Sequence, residues 1–275
     1  MSSTIALVFD FDDTLAPDST TGFLMSRGVD VRHFWQNEVQ SLMEAGWDPI
    51  TAYMYKMIEK SGESSTPYTR SDFITFAQGL KFHEGVTRLF PLLKEHLAKR
   101  APELNLEFYL ISSGIGDVVK NTRISRYFTQ IWASEFHYSP QGAISFPRKI
   151  LSFTDKTRYL YQISKGMTGP EYNGKPFEVN KKVPQLHVPL DQVVFTGDGF
   201  TDIPCFAVVK KAGGVAIGVY NPDHKETLGR AWGFVDQGRV HNLHAARFGT
   251  NSDLFRTLTM AMDGIALKIK EKNLK

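Results

Sequence analysis

Asp10, Asp12 and Thr14 follow an uninterrupted apolar run, residues 5–9, at two-residue spacing. Such a run is typical of a strand that is buried on both faces of a parallel sheet. Carboxylates at the end of a buried strand cost free energy unless they are paired or bind a metal. Ligands of open α/β sheets lie at the carboxyl ends of the strands. We therefore predict that this stretch carries the chemistry of the chain.

Two later apolar runs also end on polar residues. Residues 106–111 lead into Ser112-Ser113-Gly114, and residues 193–195 lead into the segment Thr196–Asp202. The carboxyl ends of parallel strands lie at one edge of a sheet, so both segments are expected beside Asp10.

Helical patterns alternate with the apolar runs, which predicts an α/β fold with a doubly wound parallel sheet. After the first strand the pattern is helical for about 60 residues. We predict a small all-helical cap domain at 17–81, inserted after the first strand into a core formed by 1–16 and 82–275. The polar stretch 169–189 is long for a connection, and its role is left open.

Several signals predict where helices begin and end. Asp30 and Asp48-Pro49 are typical N-terminal caps in the cap segment, and Ser71 is expected to cap a third helix there. Gly62 and Gly166 are expected to end helices.

Composition bounds the function. The 275 residues carry a net charge of +3 with scattered basic residues, which gives no case for nucleic-acid binding. No apolar run is long enough for a membrane span, and no signal peptide is apparent. The single cysteine, Cys205, excludes an internal disulfide and suits a reducing compartment. We expect a soluble cytoplasmic protein, and its oligomeric state is left open.

Four ordered motifs resemble those of the haloacid dehalogenase (HAD) superfamily, in its phosphatase branch. The first is the Asp-x-Asp-x-Thr sequence Asp10–Thr14, and the second is Ser112 at the end of an apolar strand. The third is a lysine at the start of a downstream helix, for which Lys156 is the best candidate. The fourth, Gly-Asp-x-x-x-Asp, matches Gly197–Asp202. The resemblance covers the whole sheet portion and implies the Rossmann-like core of that superfamily.

The resemblance implies roles for individual residues. Asp10 is the nucleophile that forms an aspartyl-phosphate, and Asp12 protonates the leaving alkoxide and then activates water. Lys156 neutralises Asp10 and the phosphoryl group, although a surface lysine is the simpler interpretation and Lys149 lies nearby. The remaining catalytic and phosphate-binding residues are Ser112, Thr14, Ser113 and Gly114.

A divalent cation is also implied, because two adjacent carboxylates need a counter-charge. Mg²⁺ prefers oxygen ligands. Its implied ligands are Asp10, the backbone carbonyl of Asp12, and Asp198, with Asp202 at the same site.

The predicted function is Mg²⁺-dependent hydrolysis of a small phosphomonoester. A phosphomutase or phosphotransferase on the same site is an alternative, and so is a non-catalytic module that binds a phosphorylated ligand. Dehalogenation is disfavoured because Asp12 and the Gly197-Asp198 motif are present.

The cap favours a small phosphorylated metabolite over a phosphoprotein. We hypothesise that one or two of its aromatic side chains face the substrate, the candidates being Trp35, Trp47, Tyr53 and Tyr55. The phosphoserine phosphatase family is similar in outline, but its glutamate after the first motif has no match in register. Asp18 is the nearest acid here, and Thr201 stands where asparagine is usual.

Overall fold

A computed structural model describes residues 3–223 and 225–274 of the chain. In this part, a seven-stranded sheet has the order β4-β3-β2-β1-β5-β6-β7, and only β4 runs antiparallel to its neighbour. The strands are β1 (Thr4–Phe9), β2 (Asn105–Ile115), β3 (Gln130–Tyr138), β4 (Ile144–Lys149), β5 (Val193–Gly197), β6 (Val215–Tyr220) and β7 (Asn242–Ala245). The predicted doubly wound α/β fold is confirmed, with an antiparallel edge strand added.

Strand register brings the predicted site together. Phe9 at the end of β1 lies opposite Leu110 of β2 on one side and Thr196 of β5 on the other. The backbone N–H of Asp10 donates to the Thr196 carbonyl at 2.9 Å. The residues that follow these three positions therefore share one edge of the sheet, as parallel pairing requires.

Helices cover both faces of the sheet, which explains why its central strands are continuously apolar. One face packs against α6 and α11, where Leu93 and Leu258 are fully buried. The other packs against α8, α9 and α10, through residues such as Leu160 and Phe206. These helices, with the short α7, are α6 (Val86–Arg100), α7 (Gly116–Val119), α8 (Phe153–Lys165), α9 (Ile203–Lys211), α10 (Lys225–Asp236) and α11 (Asp253–Asn273).

The segment after β1 is helical, as predicted. Its α-helices are α1 (Ser19–Ser26), α2 (Val31–His33), α3 (Gln40–Glu44), α4 (Pro49–Glu63) and α5 (Arg70–Gly79), with a π-helical stretch at Phe34–Val39 joining α2 to α3. This helical cap shares its apolar cluster with the ends of β2, β3 and β4. Phe73 of the cap stacks on Phe136 of β3 at 6.0 Å between ring centroids. The division into separate domains stays a prediction.

Local signals were mostly sufficient to place the helix ends. Asp30 and Asp48 accept hydrogen bonds from the first-turn N–H groups of α2 and α4, and Gly166 ends α8 in the left-handed conformation. Two expectations were wrong. Helix α4 runs past Gly62 to Glu63, and α5 is capped by Thr69, not Ser71, because Thr69 and Asp72 exchange the reciprocal bonds of a capping box.

Two strands also differ from the prediction. Strand β2 does not stop at Ser112 but continues through Gly114 to Ile115, with a register shift against β3 after Ile111. Strand β7 was not predicted from the sequence. Only four residues pair there, and their burial is intermediate or low, so no apolar run marks the strand.

Candidate active site

Asp10 follows β1 at the carboxyl edge of the sheet, between β2 and β5, and is 6% exposed. Its Oδ2 atom lies 3.0 Å from the Nζ atom of Lys156. Its Oδ1 atom is buried and has no hydrogen-bond partner in the part of the chain that the structure describes. Buried carboxylate oxygens are rarely left without a partner, so this oxygen is available to a ligand.

Lys156 reaches this carboxylate from the first turn of α8. Its side chain has no exposed surface. The Nζ atom donates to Asp202 Oδ1 at 2.7 Å and to Thr201 Oγ1 at 3.1 Å. The structure thus decides against the surface interpretation of Lys156 and brings it onto the predicted nucleophile.

Asp198 and Asp202 complete a carboxylate cluster with Asp10, with one oxygen of each within 4.8 Å of the others. Asp202 Oδ2 accepts the backbone N–H groups of Asp198 and Gly199, both at 3.1 Å. The Asp202 carboxylate therefore holds the loop and Lys156 in place. Gly197 permits this fold-back, because a Cβ there would lie 2.4 Å from Asp202 Oδ2.

Thr14 lies beside the same cluster, where its buried hydroxyl donates to Asp198 Oδ1 at 3.1 Å. In this structure the hydroxyl orients a carboxylate. Its predicted contact with phosphate stays a prediction.

Asp12 projects toward the cap and keeps part of its surface exposed. Its Oδ1 atom accepts the backbone N–H of Ser19, the first residue of α1, at 2.7 Å. On its other side, a Cβ built on Gly114 would lie 2.3 Å from Asp12 Oδ2. Asp12 is thus fixed between the first cap helix and the end of β2.

The Ser112–Gly114 segment forms the wall opposite β5. The Gly114 N–H donates to Ser112 Oγ at 2.9 Å. The Ser113 carbonyl accepts the hydroxyl of Tyr53 from the cap at 2.7 Å, and Ser113 Oγ is buried with no partner among the described residues. The predicted contact of this segment with phosphate stays a prediction.

Burial governs the acidity of both motif aspartates. It raises the pKa of Asp10 to about 7, with the nearby charge of Asp202 acting in the same direction and Lys156 against it. Burial likewise raises the pKa of Asp12 to about 8, with Asp18 as the next cause. Burial disfavours the charged form of Lys156, but Asp10 and Asp202 outweigh it and keep the pKa of Lys156 above its usual range.

The carboxylate cluster fits a divalent cation. Three buried carboxylates lie together here, with one oxygen of each within 4.8 Å of the others, and such close acids favour a bound cation. Asp10 Oδ1 also lacks a partner among the described residues. Oxygen donors of this kind suit Mg²⁺. Asp10 and Asp198 are best placed to bind it, since both Asp202 oxygens already accept hydrogen bonds from protein groups.

The aromatic side chains of the cap divide into two pairs. Tyr53 contacts the Ser113 carbonyl, and the Trp35 Nε1–H donates to Thr21 Oγ1 of α1 at 2.7 Å. Trp47 and Tyr55 instead pack against each other at 5.1 Å between ring centroids and are 39% and 38% exposed. The first pair lies near the predicted site.

Comparisons with known proteins agree with this architecture. No family model matches the chain. An uncharacterized protein of Borreliella burgdorferi is 26% identical over 240 residues, covering 74% of this chain and 78% of that protein.

Several solved structures share the fold of this chain. A HAD family hydrolase from Salmonella enterica serovar Typhi has a TM-score of 0.56 at 13% identity, covering 88% of this chain and 67% of that one. A substrate-bound phosphoserine phosphatase has a TM-score of 0.55 at 14% identity. A phosphoserine phosphatase with a phospho-aspartyl intermediate analogue has a TM-score of 0.54 at 15% identity. Each of the last two covers 94% of this chain and 99% of the solved one.

The chain has the HAD fold in its phosphoserine phosphatase-like form. Within this HAD fold, sequence reasoning missed the Ser19 N–H that holds Asp12 and the Thr201 hydroxyl that holds Lys156. The signal for the first was present, since Asp18 is a typical N-cap and places the amide groups of α1 next to the motif. No local pattern points to the second. Among the described residues, no helix combines the length and apolarity that crossing a membrane requires.

Proposed function

We propose that this protein is a Mg²⁺-dependent phosphatase that hydrolyses a small phosphomonoester through an aspartyl-phosphate on Asp10. One observation supports this above all others. The buried Asp10 carboxylate has one oxygen against Lys156 and, among the residues described, a second oxygen without a hydrogen-bond partner, and it clusters with the Asp198 and Asp202 carboxylates.

In the first step, a carboxylate oxygen of Asp10 attacks phosphorus and the bond to the leaving oxygen breaks. Asp12 transfers its proton to the departing alkoxide. In the metal-free chain, burial and the charge of Asp18 raise the pKa of Asp12 to about 8, which favours the protonated form that this step needs. Lys156 offsets the negative charge that gathers on Asp10 and the phosphoryl group.

In the second step, the Asp12 carboxylate accepts a proton from water as the water oxygen attacks phosphorus. The acyl phosphate bond breaks, inorganic phosphate is released, and Asp10 and protonated Asp12 are restored. Ser112, Ser113 and Gly114 bind the phosphoryl oxygens with hydroxyl and amide groups. A bound Mg²⁺, held by Asp10, Asp198 and the Asp12 carbonyl, supplies electrostatic stabilisation of the phosphoryl charge.

The leaving group lies under the cap. Tyr53 links the cap to the Ser113 carbonyl, and Trp35 donates to Thr21 of α1, the helix whose first N–H holds Asp12. A cap held in this position favours a small metabolite as the substrate. The solved phosphoserine phosphatases make phosphoserine the first compound to test. Other phosphomonoesters should be tested beside phosphoserine, because Asp18 is out of register with the glutamate that the phosphoserine phosphatase family carries after its first motif.

The deciding experiment measures phosphate release from a panel of phosphomonoesters with Mg²⁺, with EDTA and the Asp10→Asn variant as controls. We expect metal-dependent release by the native chain and background release by Asp10→Asn, whose circular dichroism spectrum should match that of the native chain. Retained hydrolysis in Asp10→Asn would refute the mechanism. If no compound is hydrolysed, beryllofluoride binding at Asp10 separates a phosphotransferase or mutase, which forms the adduct, from a binding module, which does not.

A further inference from the structure

A cavity of about 1010 Å³ lies away from the carboxylate cluster. Its walls are segment 120–129, β3, the end of β4, one face of α8 and segment 167–176, which includes the start of the insert whose role the sequence left open. We call it the basic cavity. None of the predicted site residues lines it. Arg158 and Gln162 of α8 project about 200° and 240° around the helix from Lys156, so the helix separates the two sites.

The basic cavity is strongly positive. Among the residues that the structure describes, one carboxylate, that of Glu135, lines it, together with six basic side chains: Lys120, Arg126, Arg148, Lys149, Arg158 and Lys175. The whole chain carries a net charge of only +3, so the excess of positive over negative side chains that line this cavity is larger than the net charge of the entire protein. Glu135 is already engaged, since it accepts from Lys120 at 2.6 Å and is paired with Arg148.

Two of these cations are partly buried, and the acids near them are either bound to other cations or only loosely paired. Lys149 forms no ion pair within the described ranges, although Glu135 lies opposite it on β3, and its Nζ atom lies over the Tyr159 ring at 5.2 Å. Burial lowers the pKa of Lys149 to about 8, with the neighbouring cations acting in the same direction and Glu135 against them. Arg158 Nε is buried with no hydrogen-bond partner in the described residues, and its nearest acid, Asp155, is 3.8 Å away. Cations gathered in this way are costly unless an anion joins them.

The residues that line the cavity also include apolar and aromatic side chains, of which Trp132 and Met167 are largely buried and Tyr172 is partly exposed. Trp132 packs on Tyr159 at 5.0 Å between ring centroids, and Met167 and Tyr172 line the insert side. A volume of about 1010 Å³ far exceeds that of a single phosphate ion and is typical of sites for organic ligands. The shape is concave, which favours a small molecule over an extended polymer.

We propose that the basic cavity binds a nucleotide-sized small molecule that carries a chain of phosphate groups. Such a chain concentrates several negative charges in a small volume, and guanidinium groups bind it through paired hydrogen bonds. The organic part of the ligand lies against the Trp132 and Tyr172 side of the cavity. Since α8 carries both Arg158 and Lys156, this site borders the element that holds the nucleophile's counter-charge.

The test measures binding of ATP, without metal, by calorimetry in the Asp10→Asn background, where the chain does not hydrolyse it. We expect saturable binding that weakens at least tenfold in Asp10→Asn/Lys149→Met and in Asp10→Asn/Arg158→Gln. The matched control is Asp10→Asn/Lys99→Met, because Lys99 is exposed on α6 and pairs with Glu95 outside the cavity. Its affinity should equal that of Asp10→Asn. Thermal melts confirm the folding of each variant, and Lys149→Met should melt no lower, since it removes a partly buried cation.

Three results would overturn the proposal. One is the absence of saturable ATP binding. Another is equal weakening by the cavity variants and the Lys99 control, which would indicate a diffuse charge effect. The third is tighter binding of a 12-nucleotide single-stranded RNA than of ATP, with the same dependence on Lys149, which would assign the surface to nucleic acid. Tripolyphosphate serves as a further probe, and affinity equal to that of ATP would overturn the role of the apolar wall.

Discussion

Lys156 Nζ lies 3.0 Å from Asp10 Oδ2, and the lysine side chain has no contact with solvent. A buried ammonium group of this kind is stable only because carboxylates surround it. Asp202, at 2.7 Å, is the second of these and is itself fully buried. The contact therefore serves the fold and the proposed chemistry together, and removing it should affect both.

Replacing Lys156 with Met should lower the free energy of unfolding of the metal-free protein by about 3–5 kcal/mol, because Asp10 and Asp202 would lose their buried counter-charge. Guanidinium denaturation followed by tryptophan fluorescence measures the change. The double variant Lys156→Met/Asp202→Asn should recover part of the loss. Equal stability of the native and Lys156→Met proteins would show that the lysine does not compensate these acids.

Gly114→Ala should impair catalysis with little effect on the fold. The new methyl group would lie 2.3 Å from Asp12 Oδ2 and displace the proposed acid/base. A displacement of about 1 Å is enough to reduce kcat by about 10- to 100-fold. The control is Gly264→Ala in α11, where no described atom outside the adjacent backbone of the helix lies within 4 Å of the added Cβ. That variant should keep full activity and gain about 0.5–1 kcal/mol from the better helix former. Unchanged kcat in Gly114→Ala would mean that Asp12 is not held as described.

The stability of the metal-free protein should depend on the protonation of Asp10 and Asp12. Their pKa values rise from 3.8 to about 7 and about 8 on folding. The folded state then binds more protons than the unfolded state, so the contribution of these groups falls as the pH rises from about 4 to about 8. Partly buried histidines such as His83 have lowered pKa values and act in the opposite direction.

The measurement is therefore a difference in melting temperature between the native chain and Asp12→Asn, in EDTA, at several pH values. We expect the native chain to lose stability relative to Asp12→Asn as the pH rises through this range. Added Mg²⁺ should restore it more at pH 8 than at pH 5.5, because the cation binds ionised carboxylates of the folded state. A difference that is independent of pH would contradict the raised pKa of Asp12.

The sequence alone was sufficient for the parts of the site that depend on local pattern. Asp10 and Asp198 each follow a short apolar run, and parallel pairing places both at one edge without further information. The first turn of α8 was likewise readable from Thr154 onward, which placed Lys156 at a helix start. These predictions needed only strand and helix signals and one rule about parallel sheets.

Contacts between distant segments were out of reach. The bond from Thr14 to Asp198 joins residues 184 positions apart, and no periodicity encodes it. The extension of β2 through Gly114 depends on pairing with β3, since serine and glycine have low strand propensity by themselves. The basic cavity was hidden for the same reason, because Lys149 and Arg158 read as isolated surface cations until β4 and α8 are brought together.

Asp18→Asn provides a test of how the acidity of Asp12 is set. After burial, the charge of Asp18 is the main cause that raises the pKa of Asp12. Asp18 also caps α1 by accepting the Thr20 and Thr21 N–H groups at 2.9 and 3.0 Å. Asparagine caps helices about as well as aspartate, so this substitution removes the charge and keeps the cap.

We expect kcat/KM for an alkyl phosphate to fall as Asp12 loses its proton at high pH. This descending limb should lie at or below pH 8, since a bound cation lowers the pKa of a nearby carboxyl. In Asp18→Asn the limb should move to lower pH, while the rate near pH 6 stays within about twofold of the native rate, where both proteins keep the acid protonated. With p-nitrophenyl phosphate, whose leaving group needs little protonation, the limb should be weak in both proteins. If the limb does not move in Asp18→Asn, the charge of Asp18 does not set the acidity of the catalytic acid, and burial alone accounts for it.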